Sequence, residues 1–411
     1  MPTQAALQSL LDRLVPGLLT TGEDAIHNAV AVVENPTLGL RAAAAAGRMR
    51  EDSDKPMAVD TQFHIASVVK PMTAALIFQA AEEGKLGSAG IDAKLVDTGV
   101  LPPHIVRALH NIRGRSWGEA ITLRQMLTHT SGLRDGQGDD GDYLAGGFFG
   151  RAAPNSLSGR RLPDLEPHYQ AWREGRPIPA GLRTTMQWKP WDPTRPEDPD
   201  AGVLNFYLSA HTAGRNALFR PGHGFHYSDT AFTILALLAE RLHGASFSRL
   251  LLHRIYEPCG MTASWFDADS DFDQTPWQRD LADVWNGKYP LVSMGMSLSN
   301  DWGGGGVISP ASDLNRFMIG LMDGRLFRHR ATLAEMARVT VPQGLKNYAA
   351  VGHGLLGFRS PGGRWLFGHS GAWGAKMLYD PQSGFYFSGT VNRRGARGEW
   401  MQDIADAVAA L

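Results

Sequence analysis

The chain has 411 residues, 43% of them hydrophobic, with 40 basic against 41 acidic residues and a formal net charge of -1. That length and balance suit a globular protein of one large domain or two, and they argue against a nucleic-acid or membrane-surface partner. One cysteine, Cys259, rules out an intrachain disulfide; between Pro258 and Gly260 it reads as a small buried apolar residue.

The chain opens on an amphipathic pattern over residues 4–18, which predicts a helix packed on the body. No basic and then apolar leader precedes it, so a cytoplasmic location is expected. Asn28 to Val33 reads as a short apolar strand. Leu38 to Gly47 is its candidate partner, although the alanine run fits helix and strand alike. Gly47 to Lys55 is charged and reads as an exposed turn. Phe63 to Leu76 is an extended entry into an apolar helix that starts near Ser67 and runs on to Leu86. Leu123 to Leu133 reads as a helix closed by a glycine turn.

From Arg134 to Pro221 the composition shifts to Gly, Pro, Asp, Arg and Trp. This stretch is too long and too aromatic for a passive linker. Trp172, Trp188 and Trp191 need surfaces to pack on, and the stretch reads as a cap over the site. Thr230 to Leu242 and Ser246 to Tyr256 are apolar helices. Gly303 to Gly306 reads as a flexible turn, and Ser309-Pro310 as the N-cap and first residue of a helix reaching Met322. Then come four antiparallel strands: His353 to Phe358, Trp365 to His369, Lys376 to Asp380 and Phe385 to Asn392. An amphipathic helix from Arg397 to Leu411 ends the chain.

Chemistry concentrates at Ser67-Val-Val-Lys70. At i and i+3 on a helix, a hydroxyl and an amine share one face, one turn apart. The backbone N–H groups of the helix start lie beside the serine, so the pair has the parts of an activated nucleophile. The chain has only eight lysines, and the spacing alone is a weak signal.

Further motifs follow in order: Leu127-Thr-His-Thr-Ser-Gly-Leu133, Pro221-Gly-His-Gly-Phe-His-Tyr-Ser-Asp229, Gly305-Gly-Val-Ile-Ser-Pro-Ala-Ser-Asp313 and His369-Ser-Gly371. Together with Ser67 and Lys70 this series resembles the serine hydrolase family typified by class C β-lactamases, D,D-peptidases, D-aminopeptidases and related esterases. The likeness covers most of the chain outside residues 134–220. It implies an α+β fold: an antiparallel sheet flanked by helices on both faces, built from residues 1–75 and 290–411, plus a mainly helical domain from residues 76–289 that carries the irregular insert.

The resemblance also implies roles. Ser67 would attack a carbonyl, with Lys70 or Tyr227 as the base. His369, Ser370 and Gly371 would border the substrate, and the backbone N–H groups of Ser67 and Ala372 would form an oxyanion hole. Two positions depart from the family pattern. Asp229 stands where asparagine is common; an ionised aspartate only accepts hydrogen bonds, and it can hold Lys70 as an ammonium, favouring Tyr227 as base. His369 replaces a lysine that helps bind substrate carboxylates in β-lactamases, which lowers the expectation of antibiotic or cell-wall substrates. His64, His129, His223, His226 and His353 read as structural or rim residues.

The expectation is a serine hydrolase acting on a small-molecule ester through an acyl-Ser67 intermediate. An amidase or D-specific peptidase is the alternative, and a relative that binds without turnover is the rival outside the enzymes. No metal-ligand set, phosphate loop or Gly-x-Ser-x-Gly elbow is present, so no metal or cofactor is expected. The natural substrate and the oligomeric state stay open.

Overall fold

The computed structural model describes residues 2–22, 25–135, 165–177, 191–195, 202, 204–205, 208, 217–267, 280–295, 298–396 and 398–411. Trp188 and most of the 134–220 stretch lie outside the described residues.

The central element is an eight-stranded sheet. In chain order its strands are β1 (Asn28–Asn35), β2 (Leu40–Arg50), β3 (Ser53–Pro56), β4 (Ala350–Val351), β5 (Leu356–Arg359), β6 (Trp365–Ser370), β7 (Lys376–Asp380) and β8 (Phe385–Thr390). They lie in the order β4-β5-β6-β7-β8-β1-β2-β3, with every neighbouring pair antiparallel. Helices α1 (Gln4–Leu14) and α5 (Trp400–Ala409) cover one face, and α4 (Ala311–Met322) packs on β1, β7 and β8 from the other.

Strand β1 shows why. Val30 and Val32 enter the core on the α4 side, while Ala29, Ala31 and Val33 enter the core beneath α1 and α5. A strand buried on both faces reads as a continuous apolar run rather than an alternating one. The alanine run resolves as strand β2, with Ala45 opposite Val30 and Ala43 opposite Val32. Its outer edge at residues 41–43 is closed by side chains of α1. Gln4 Nε2 donates to the Arg41 carbonyl (2.7 Å) and Gln8 Nε2 to that of Ala43 (2.9 Å), while their Oε1 atoms accept the Arg41 and Ala43 N–H groups. Two side-chain amides thus substitute for a ninth strand and cover an otherwise sticky edge.

Several boundaries differ from the sequence reading. Residues 47–55 are not a plain turn but the β2–β3 hairpin, irregular between Arg48 and Arg50. Gly47 permits it: its φ is +89°, and a Cβ there would lie 2.1 Å from the His27 carbonyl oxygen. The helix opening at Leu123 stops at Leu127. Thr122 and Gln125 form a capping box at its start, and the Thr128 hydroxyl takes the Arg124 carbonyl near its end. The N-cap of α4 is Pro310 rather than Ser309, whose hydroxyl is drawn to Ser264 at 2.8 Å. Strand β5 starts at Leu356 instead of His353, and β4 adds an edge the sequence did not signal.

Helix α2 (Lys70–Glu82) is the pivot between sheet and helices. It is buried continuously from Lys70 to Ala80, as its lack of a polar face requires. It packs on α3 (Asp229–His243). A small three-stranded sheet of Phe63–His64, Val307–Ser309 and Trp265–Phe266 leads the chain into the short turn Ala66–Val69 that opens α2.

Phe387 on β8 is fully enclosed beneath α1 and α5. Phe387→Ala is expected to lower unfolding free energy by about 3–5 kcal/mol, read from the urea midpoint at unchanged slope. A loss below about 1 kcal/mol would contradict a close-packed core on that face.

Candidate functional site

Ser67 sits in the short Ala66–Val69 turn, at the end of a left-handed step: Ala66 has φ +48°. Such a step is unfavourable for a residue with a side chain and persists only where the surroundings impose it. Here it sharpens the bend that brings the Ser67 hydroxyl to the edge of the core. One turn on, Lys70 is completely buried. Its Nζ donates to Ser67 Oγ (3.0 Å) and to the Gly304 carbonyl (2.6 Å), and it forms an ion pair with Asp229. Three segments far apart in sequence therefore meet on one ammonium group.

Each partner is fixed locally. Asp229 opens α3, where the helix dipole favours a negative charge, and Ser228 caps that helix by accepting the Ala231 N–H. The Gly303–Gly306 run is a packed wall and not a flexible turn. All four residues are buried, Thr73 donates to the Gly303 carbonyl at 2.7 Å, and a Cβ on Gly303 would lie 2.4 Å from that of Ala236 on α3. Glycine here lets the backbone approach α3 closely enough to aim two carbonyls into α2.

Tyr227 precedes this helix. Lys70 Nζ stands 5.0 Å from the centre of its ring, and the ring lies 6.2 Å from that of His369, at the end of β6. The His369 Nδ1–H donates to the Ser370 carbonyl at 2.8 Å. A carbonyl can only accept, so the proton is on Nδ1 and Nε2 keeps a lone pair. Nε2 is buried without a hydrogen-bond partner among the described residues. Burial, then the charge of Lys70, hold this imidazole neutral, with its pKa lowered to about 3. His369 thus keeps an acceptor, not a donor, at Nε2.

Gly371 brings β6 against the turn that holds Ser67: a Cβ there would lie 2.3 Å from the Ile65 carbonyl oxygen. Ser370 contributes the carbonyl that fixes His369. Ala372 is half-buried and packs with Ala66 and Trp373 in an apolar cluster. Into that cluster comes part of the insert. On the helix Leu165–Arg173, Leu165 is buried there, with Tyr169 and Trp172 at its margin. Glu166 ties this helix down, pairing with Lys288 and accepting the Tyr289 hydroxyl, both at 2.8 Å. Trp191 instead packs on the main core.

Two residues that sequence reasoning left out also face the site. His129, read as structural or rim, is buried and stacked on Tyr227 with ring centres 4.2 Å apart. Tyr348 lies 6.5 Å from Tyr227, and its phenol is pushed up to about 12 by burial and by the negative charge of Asp229. The motif around His129 marked its neighbourhood; nothing in the sequence marked Tyr348.

The family model described as Beta-lactamase matches residues 27–410. A protein named "Probable hydrolase M10" from Phoma sp. is 25% identical over 225 residues, 54% of this chain and 31% of its own length. The chain thus spans about a third of that relative. Among solved structures, the D-amino acid amidase from Ochrobactrum anthropi SV3 superposes with a TM-score of 0.65 at 18% identity, covering 99% of this chain and 100% of the other. EstCE1, described as a hydrolase with promiscuous acyltransferase activity, superposes with a TM-score of 0.62 at 20% identity, covering 93% of each chain. These likenesses establish the fold: an antiparallel sheet between helices with a mixed helical complement.

The buried histidines yield a stability prediction. Burial lowers His369 to about 3 and His353 to about 4, and holds His129 well below the ordinary value. Unfolding restores ordinary proton affinity near pH 6.5. Below that pH the unfolded chain binds protons that the fold refuses, so unfolding free energy should fall as pH drops from about 6.5 towards about 4. Each such histidine contributes a slope of at most about 1.4 kcal/mol per pH unit. Urea titrations across that window check it; a flat profile contradicts it.

Proposed function

The chain belongs to the Beta-lactamase family, and on that premise we propose that it is a serine hydrolase that cleaves a carboxylic ester through an acyl-Ser67 intermediate. The observation that carries this reading is the buried Lys70, held between Ser67 Oγ, the Gly304 carbonyl and Asp229. Its hydrogens are all directed at acceptors, so it acts as a donor that stabilises the Ser67 oxygen as negative charge develops. Tyr227, as phenolate beside that positive charge, takes the Ser67 proton. The Oγ–carbon bond forms, the ester C–O bond breaks, and Tyr227 returns the proton to the leaving alkoxide. Water then attacks the acyl carbon by the reverse route, and Ser67 regains its proton.

An ester is favoured over a substrate with an anionic group for a physical reason. Asp229 is committed to Lys70, and the one N–H of neutral His369 is spent on Ser370. Neither supplies a cation or a side-chain donor to a carboxylate or an amide carbonyl. The backbone N–H groups of Ser67 and Ala372 remain as the oxyanion hole, and an ester asks for no more. One feature supports a second reading, hydrolysis of a D-amino acid amide: the bare Nε2 of His369 can accept an N–H from a substrate amine.

A fluorophosphonate probe is expected to label the wild type, and p-nitrophenyl acetate to be turned over. Ser67→Ala should abolish both, and Tyr227→Phe should lower kcat by at least about 100-fold, the scale of a lost general base. Equal labelling of wild type and Ser67→Ala would remove the nucleophile assignment. Testing p-nitrophenyl esters beside D-amino acid amides decides between the two substrate readings, and a burst without steady turnover would instead mark a binding relative.

A further inference from the structure

Tyr227 is held from both sides by one residue. The backbone N–H of His226 donates to the His129 carbonyl at 2.9 Å, and that of Ser228 donates to His129 Nδ1 at 3.1 Å. Between these two bonds the Tyr227 ring lies face to face with the His129 imidazole, 4.2 Å away and inclined by 23°. Behind the imidazole stands Phe232 of α3, at 5.1 Å. His129 is 1% exposed, so its ring cannot swing out.

The backbone is set for this arrangement. His129 has φ +56°, a left-handed conformation uncommon for a residue with a side chain. Its own N–H is used inside the preceding turn, on the Met126 carbonyl. A left-handed residue that stacks on the candidate base and binds the backbone on either side of it is held there by its surroundings. The tautomer is fixed as well. Nδ1 accepts the Ser228 N–H, so the ring proton is on Nε2, and burial together with the nearby Lys70 charge keeps the imidazole neutral.

We propose that His129 is a positioning residue: its carbonyl, Nδ1 and ring face together orient the Tyr227 phenol towards Ser67 and Lys70. This rests on Tyr227 being the base. A phenol has one torsion that swings its oxygen past the hydroxyl it must reach, and an ångström of misplacement costs about 100-fold in rate. The stack removes that freedom without placing a second charge beside Lys70.

The test uses the full chain with p-nitrophenyl acetate, measuring kcat, KM, fluorophosphonate labelling and thermal melting. His129→Ala is expected to lower kcat by about 100-fold with KM changed less than about threefold. His129→Asn keeps an acceptor for the Ser228 N–H and tolerates the left-handed backbone, so it should recover about tenfold of that loss. A folded His129→Ala with kcat within about threefold of wild type overturns the proposal. So do alanine and asparagine variants impaired equally, in step with a common drop in melting temperature. Should the alanine variant not fold, the asparagine variant decides alone: a melting temperature near wild type with kcat reduced about tenfold supports positioning, and wild-type kcat overturns it. Tyr227→Phe separates this idea from the reading beneath it. Full activity there removes Tyr227 as base, whereas an inactive Tyr227→Phe beside fully active His129 variants removes only the positioning role.

Discussion

A lysine ammonium shut off from the surface constrains much of this molecule. Lys70 is wholly buried, and a buried charge is tolerated only when paired and hydrogen-bonded. Its partners come from the start of α2, the first residue of α3 and the glycine wall ahead of the strand Val307–Ser309. Losing any one would leave part of that charge unmatched. The ammonium therefore locks the relative position of the elements that also carry Tyr227 and Ser67, so the order of this group and the stability of the helical layer are coupled.

Close backbone approach is the means by which the fold reaches that geometry. Gly371 brings the end of β6 onto the turn that holds Ser67, Gly303 brings the carbonyl wall onto α3, and Gly354, at φ +70°, lies so near α2 that a Cβ would be 2.9 Å from the Lys70 carbonyl oxygen. Gly371 and Gly354 press on residues 65–74, and the Gly303 carbonyl accepts the Thr73 hydroxyl within the same stretch. His129 and His369 are held uncharged by burial, so Lys70 and Asp229 pair in buried surroundings where electrostatic interactions are strong.

An apolar wall lies to one side of this group: Ala66, Ala372 and Trp373 form a cluster beside Ser67, and the helix Leu165–Arg173 packs on it through Leu165, Tyr169 and Trp172. Binding residues commonly sit on loops and insertions carried by a rigid scaffold. The same scaffold superposes on the D-amino acid amidase and on EstCE1, and one fold can carry different chemistries.

The α+β class came with the family resemblance; by itself the sequence determined most element centres and the pairing of a serine with a lysine one helical turn on. These are local properties: apolar period, caps, turn residues and an i, i+3 spacing act within a few residues of one another. It left the alanine run ambiguous because alanine lacks a strong strand preference, and only the register against Val30 to Val33 made it β2. It misjudged Gly303 to Gly306 as flexible because glycine is read as freedom when its neighbours are unknown, although packing against α3 makes that run rigid. What tertiary structure decided is the direction of each polar group: that Asp229 meets Lys70, that His369 keeps an acceptor at Nε2, and that His129 lies beneath Tyr227. The first and last depend on partners about 100 or more residues away along the chain, and the neutral state of His369 on burial and the charge of Lys70, where local pattern carries no information.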